Sequence, residues 1–271
     1  MNAILLPKLD YRTNQPEELI LDSAGNSYIA QFLQKNGIKN YEPYTIATVL
    51  FLLQEVENNN VFFDIVANIG IYSFFLASVL EPSQFTIYAF EPAPDLAEIA
   101  KKIASDNFLF YTVEQLGMSN RNGNAKLYLS QKSDASNSLL KGFRKSNKSI
   151  TVPIETIDRY CAKTGLIPSV IKIDTEATEP DVILGGKKTI SDHRPWIVCE
   201  VLPGRTENQL MEVMKPYSYY YYHINDSLSW EHQPQIYGDT SYQYRDWLFA
   251  PVPINQNLVE GIHQLVQNMS G

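Results

Sequence analysis

The chain has 271 residues, 44% of them hydrophobic and 19% charged, with a formal net charge of -8. That balance suits one large core or two small ones and excludes disorder throughout. The acid excess excludes a chain-wide attraction to nucleic acid or to an anionic membrane.

The two cysteines, Cys161 and Cys199, supply neither a disulfide framework nor a metal-ligand spacing. Residues 1–10 lack a basic stretch leading into a long apolar one, so no signal peptide is expected. No run approaches the roughly 18 apolar residues of a membrane span. The expectation is a soluble, cytoplasmic protein.

Residues 1–40 are weakly patterned. Ile46, Val49, Leu50 and Leu53 fall at helical spacing and predict a helix over 44–56, ended by Asn58, Asn59 and Asn60. Residues 1–60 read as an N-terminal helical extension packed on the core, and 61–271 as the main domain, with no linker between them. The run 61–65 reads as a buried strand and 71–80 as a buried helix. A second strand is expected over 85–90. Asp95 and Glu98 then make a capping-box-like start to a helix carrying Leu96, Ile99, Ala100 and Ile103. A third strand is expected over 108–113. This alternation predicts an α/β fold, a parallel sheet with helices on both faces.

Residues 117–120 and 122–123 read as turns, and 125–129 and 150–154 as short strands. Between them, 130–149 is rich in Ser, Asn and Lys, a polar loop long enough to be functional. Parallel order resumes with a strand over 170–173 and a helix over 180–184 that ends at Gly185 and Gly186. A strand over 196–201, a helix over 207–214 and strands over 219–224 and 247–252 follow.

The stretch Phe63-Asp64-Ile65-Val66-Ala67-Asn68-Ile69-Gly70 runs from strand through a tight turn into helix. In open α/β sheets ligands sit beyond such strand ends. Ala67 and Gly70 let a ligand approach the backbone, and Asn68 tolerates unusual angles. Glu91, after the second strand, can accept hydrogen bonds from both hydroxyls of a ribose. Turn and acid together indicate an adenosine-containing ligand. Only one glycine stands in the window where a pyrophosphate-binding turn keeps three. Asp64 can meet an ammonium group. S-adenosylmethionine is therefore expected rather than NAD, and a nucleotide-dependent oxidoreductase is the disfavoured alternative.

Four stretches resemble the FkbM family of methyltransferases: Asp64-Ile65-Val66-Ala67-Asn68-Ile69-Gly70, Phe90-Glu91-Pro92, Val152-Pro153-Ile154-Glu155-Thr156-Ile157-Asp158, and Ile171-Lys172-Ile173-Asp174-Thr175-Glu176-Ala177-Thr178-Glu179. Two positions depart from the family pattern: Val66 and Ala177 stand where it has glycine. The resemblance implies a Rossmann-like methyltransferase fold, with a mostly parallel seven-stranded sheet whose last strand is antiparallel. It also implies methyl transfer from S-adenosylmethionine to oxygen, commonly a hydroxyl of a sugar or natural product. The expected cofactor-facing residues are Asp64, Val66, Ala67, Asn68, Gly70 and Glu91, joined by Gly117, Met118 and Ser119.

Asp174, Glu176 and Glu179 cluster beyond a buried strand and are the expected catalytic acids, with Asp174 or Glu179 as the base that takes the hydroxyl proton. Lys172 falls on the same strand face as Asp174. The three carboxylates also suit Mg²⁺ or Ca²⁺, ranked below base chemistry. Glu179 with Pro180 equally fits an acidic first turn of a helix. Ser138, Glu200, Trp230 and His232 are weaker acceptor-side candidates. The 130–149 loop, locally basic through Lys141, Arg144, Lys145 and Lys148, is a candidate lid. Tyr217 and the tyrosines at 219–222 offer either a sugar-stacking platform or strand filling. His193 and His223 are read as structural. The expected partner is a small-molecule or glycan acceptor. The alternative is a degenerate, non-catalytic relative that binds a glycan or a protein.

Overall fold

The computed structural model describes residues 3–9, 11–12, 14–25, 27–55 and 60–270. The N-terminal segment pairs β1 (Ala3–Leu5) with β2 (Glu18–Ile20) in an antiparallel ribbon. Helices α1 (Tyr28–Asn36) and α2 (Pro43–Glu55) follow. The sequence foretells α2 alone; its expected end at Val56, and Asn58 and Asn59, lie outside the described residues.

The main sheet is then laid down in alternation: β3 (Val61–Ile65), α3 (Ile71–Val79), β4 (Thr86–Phe90), α4 (Pro94–Asp106) and β5 (Thr112–Glu114). A small three-stranded sheet interrupts it, built from β6 (Gly117–Met118), β7 (Gly123–Leu129) and β8 (Lys148–Glu155). After α5 (Ile157–Thr164) come β9 (Val170–Ile173), α6 (Glu179–Gly185), α7 (Lys187–His193), β10 (Trp196–Glu200), α8 (Glu207–Met214), β11 (Tyr220–His223), β12 (Asp246–Ala250) and α9 (Gln256–Ser270). The order across the seven-stranded sheet is β11-β12-β10-β9-β3-β4-β5. β12 runs antiparallel to both of its neighbours, and the other pairs are parallel.

Strand alternation divides the core between two helical layers. Phe62, Val170, Val198 and Leu248 face α2, α3, α4 and α9. Phe63, Ile171, Ile197, Trp247 and Phe249 face α5, α6, α7 and α8. This is the Rossmann-like α/β sandwich that the alternation and the resemblance predict.

Several local expectations are corrected. The third strand is short and starts late, because Phe108 takes a left-handed φ of 53° and both Phe108 and Phe110 stand in solvent. The helix after β4 has Ala93 as its N-cap, with no capping side chain, and Pro94 in its first turn; Asp95 is simply a first-turn acid. Gly117 and Met118, read as turn, form β6 beside β8. Helices α1, α5, α7 and α9 carry no signal that the sequence reading used. Among the described residues, no helix is long and apolar enough to cross a membrane.

Candidate functional site

Beyond the carboxyl end of the sheet lies a cleft of about 760 Å³, within the size range of ligand pockets. The loop after β3 forms one wall. Ala67 donates its amide to the Phe90 carbonyl (3.0 Å) and Gly70 donates to Ala67 (2.8 Å), so the turn is tied to β4 before α3 begins. Val66, Asn68 and Gly70 all have positive φ, at 61°, 55° and 83°. Only Gly70 adopts this without cost. For Val66, β-branched, this is strained backbone. Ala177 has φ 77°. Both positions that depart from the family pattern thus keep a glycine-like backbone without the glycine.

Glu91, just past β4, is buried. Its Oε2 accepts the Asn68 amide and its Oε1 the Ala93 amide, each at 2.8 Å. Burial pushes this carboxyl up to about 8, against the pull of those amides. It lines the cleft with Val66, Ala67 and Asn68. The Asn68 side chain spans two segments: Oδ1 accepts the Ile69 amide (2.8 Å), and Nδ2 donates to the Asp134 carbonyl (3.3 Å). Gly117, Met118 and Ser138 line a narrow adjoining recess of about 10 Å³, shared with Val66 and Glu91.

Three expected cofactor contacts do not reach the cleft. Asp64 is buried beneath it, accepting from Ser73 Oγ (2.8 Å) and leaving Oδ1 without a partner; burial raises its carboxyl, opposed by Lys172. Gly70 lies at the base of α3 against Ala100 and Tyr111. Ser119 donates its amide to the Glu155 carbonyl (3.0 Å) and turns its own carbonyl toward Gly185, so it belongs to the small sheet's packing.

The acidic cluster separates by environment. Asp174 lines the cleft and pairs with Lys172 Nζ at 3.1 Å. Burial pushes its carboxyl up, but Lys172 and Arg245 outweigh that and hold it below the usual range. Glu176 lines the cleft too, at φ 55°, with Oε2 buried and unpartnered. Burial and the neighbouring Asp174 push it up to about 8. Glu179 takes the second of its two expected readings, an acid in the first turn of α6. Its Oε1 accepts the Thr175 amide, the Thr175 hydroxyl and the Ala177 amide, each at 3.0 Å, and it lies behind the wall. It brackets the turn that presents Glu176. Ser138 Oγ supports the same turn by donating to the Glu176 carbonyl (2.7 Å).

Glu200, Trp230 and His232 are also off the wall. Glu200 is buried and accepts from Arg245, Trp230 donates to the Asn225 carbonyl (3.2 Å), and His232 packs on Tyr220 and Tyr222. The tyrosines of β11 fill the sheet. The cleft's aromatic wall comes instead from Tyr28, Tyr41, Tyr44, Tyr72, Tyr242 and Tyr244.

The sequence reading also missed Glu42, Arg245 and Asp246 on the cleft wall. A signal for the last two existed. An antiparallel last strand begins where parallel strands end, which brings its first residues to the same rim. Glu42 has no such signal. Part of the 130–149 loop covers the cleft: residues 132–137 line it, and Asp134 Oδ1 accepts the Tyr28 amide at 3.2 Å. Among the described residues, no three His, Cys, Asp or Glu side chains are placed to hold a metal ion.

The residues present suit S-adenosylmethionine. Glu91 is a buried acid with no cation beside it, and each of its oxygens holds a single backbone amide, which leaves lone pairs for hydroxyl donors.

The fold is that of the Rossmann-like methyltransferases. The family model described as "Methyltransferase FkbM domain" matches residues 64–244, and the chain belongs to that family. Membership supports S-adenosylmethionine-dependent methylation. Among solved structures, the chain is similar to the methyltransferase FkbM from Methylobacillus flagellatus KT, with 16% identity and a TM-score of 0.48 over 75% of this chain and 47% of that one. It thus spans about half the length of that relative. It is also similar to magnesium protoporphyrin IX methyltransferase from Synechocystis PCC 6803, solved with bound S-adenosylmethionine (10% identity, TM-score 0.41, 81% of this chain and 84% of that one). A putative O-methyltransferase from Klebsiella pneumoniae gives 11% identity and a TM-score of 0.41 over 77% and 79% of the two chains. No curated protein matches the chain.

Proposed function

We propose that the protein is an S-adenosylmethionine-dependent O-methyltransferase acting on a hydroxyl of a carbohydrate or related natural product. One observation carries this reading: a single cleft collects Ala67, Asn68 and Glu91 on one wall and Asp174, Glu176 and several tyrosines on another. S-adenosylmethionine, when bound, supplies a sulfonium methyl open to in-line displacement by oxygen. Glu91 accepts the ribose hydroxyls, and the 66–68 turn presents its backbone to the cofactor.

At the other end the acceptor's hydroxyl oxygen forms the new bond to carbon as the methyl–sulfur bond breaks, and the hydroxyl proton goes to a base. Glu176 fits that role. A carboxyl pushed up to about 8 takes a proton near neutral pH far better than Asp174, which is held ionised by its cations. Asp174 accepts a hydrogen bond and orients the acceptor. The tyrosines give flat faces against which a sugar ring packs.

The strained φ of Val66 favours a second reading, a relative that binds a glycan or protein without catalysis. Calorimetry with S-adenosylhomocysteine and with NAD separates the two, followed by a methyl-transfer screen of free sugars. The enzymatic reading expects heat with S-adenosylhomocysteine alone and a methylated sugar. No heat with either ligand overturns it.

A further inference from the structure

The acceptor side of the cleft is closed by a ring of side chains. Lys172 Nζ pairs with Asp174 at 3.1 Å and lies 4.5 Å from the centroid of the Tyr72 ring. Tyr72 OH donates to Glu42 Oε2 at 2.6 Å, and Arg245 donates to Glu42 Oε1 at 2.7 Å. The other arm of the Arg245 guanidinium donates to Glu200, which faces Asp174. Every member except Glu42 lies within or one residue beyond the family region at 64–244. Glu42 reaches in from the N-terminal segment, 203 positions from Arg245.

We propose that Glu42 is a positioning residue for the acceptor site: by joining Tyr72 to Arg245 it closes the ring that fixes the Asp174 carboxylate in the cleft. The role given to Asp174 rests on the methyl-transfer reading; the ring itself does not.

Three features support the assignment. Glu42 has a left-handed φ of 42° directly before Pro43, a costly backbone that persists only where surroundings over-determine it. Its carbonyl accepts the Ile46 amide at 3.0 Å, which anchors it to the first turn of the buried helix α2. Both its carboxylate oxygens are engaged, by one neutral and one charged donor, so its direction is set. Without Glu42, the Arg245 guanidinium loses one of its two anchors and Tyr72 loses its hydrogen-bond acceptor.

The charge count makes the ring testable. Two cations, Lys172 and Arg245, face Glu42, Asp174 and Glu200. Glu42 and Asp174 balance them, and Glu200, driven up by burial and by Asp174, keeps its proton. The other titratable groups facing Asp174 are Asp64 on β3, Glu176 and Glu179 after β9, Cys199 on β10, Asp246 on β12 and Tyr41 beside Glu42. All are present in both the native chain and the variant, and Asp246 and Tyr41, which the Glu42 charge raises, move down as well when it is removed. Replacing Glu42 with glutamine removes one anion and frees Arg245 to stabilise ionised Glu200. The Glu200 proton then leaves at lower pH.

The experiment is carboxyl ¹³C NMR titration of the full chain labelled at Asp and Glu side chains, with neither cofactor nor acceptor present. It therefore stands or falls apart from the methyl-transfer reading. In Glu42→Gln the titration reported by Asp174 and Glu200 moves down by about one pH unit or more, a tenfold change in proton affinity. Glu42→Asp keeps the charge but is too short to reach both donors, and gives a smaller shift of the same sign. Circular dichroism checks that each variant is folded. If Glu42→Gln does not fold, Glu42→Asp decides alone. A folded variant whose Asp174 and Glu200 titrations match the native chain overturns the proposal.

Discussion

The two ends of the cleft handle charge in opposite ways. At the end proposed for the cofactor, Glu91 is a buried acid with no cation, held by two backbone amides and raised to about 8. At the end proposed for the acceptor, Asp174 and Glu42 are matched by Lys172 and Arg245, which hold the Asp174 carboxyl below the usual range. A lone buried acid is expensive to ionise, so Glu91 gains most when hydroxyl donors arrive. A paired network is costly to break but insensitive to an added neutral partner. The cofactor end is thus suited to change its hydrogen bonding on binding, while the acceptor end is suited to hold its shape. Glu176 stands between the two regimes: it sits in the acceptor wall yet is raised like Glu91.

The largest effect should come from that exception. Glu176→Gln is expected to slow single-turnover methylation by about 10²–10⁴-fold, the range for losing a general base, and to abolish the rise of rate toward pH 8. A fully active variant removes Glu176 from the chemistry. Glu91→Ala sharpens the contrast at the other end. S-adenosylhomocysteine affinity should weaken by about 1–3 kcal/mol, the scale of losing charged or buried hydrogen bonds. Unchanged affinity in calorimetry takes Glu91 out of the cofactor site.

Four carboxyls, Glu91 and Glu176 near 8 and Glu179 and Asp246 near 7, are raised mainly by burial. A raised folded value means that the folded chain binds more protons than the unfolded one. Their contribution to stability is therefore full below the ordinary carboxylate range and is lost as pH climbs through 7 to 8. The melting temperature of the protein without cofactor should fall over that window, and bound S-adenosylhomocysteine should blunt the fall. A melting temperature that rises from pH 5 to 8 contradicts the burial of these groups.

The smallest effect concerns the strained turn beside Glu176. Ala177→Gly relieves a left-handed alanine at the expense of unfolded-state entropy. The left-handed cost of roughly 1–2 kcal/mol exceeds the glycine penalty of about 0.5–1 kcal/mol. Thermal unfolding should show a gain of up to about 1 kcal/mol, and a loss would place the strain elsewhere.

The wall carrying Ala67, Asn68 and Glu91 was largely legible because it is local. Strand, turn and helix follow one another through Ile65, Val66 and Gly70, and the acid ends the next strand, so spacing alone puts Glu91 beside the turn. The departure at Val66 was legible from the resemblance, but the left-handed φ of 61° that makes it strained comes from the structure. Glu179 misled because a carboxylate two residues from a turn amide serves equally as bracket or base, and only its three hydrogen bonds at 3.0 Å decide between them. The β11 tyrosines could not be decided between platform and strand filling, because period-2 alternation does not say which strand faces the cleft; Tyr221 and Tyr222 are buried in the sheet.

By itself, then, the amino-acid order determined the alternating elements, the parallel sheet, the tight turn and the acid that follows it. All of these depend on contacts between near neighbours or on repeating patterns. Tertiary structure alone decided which carboxyls reach the cleft, what each one's neighbours do to its charge, and that the N-terminal segment brings Glu42 to Arg245. Charge and burial depend on groups far apart in the chain, and no periodicity in the sequence encodes that distance.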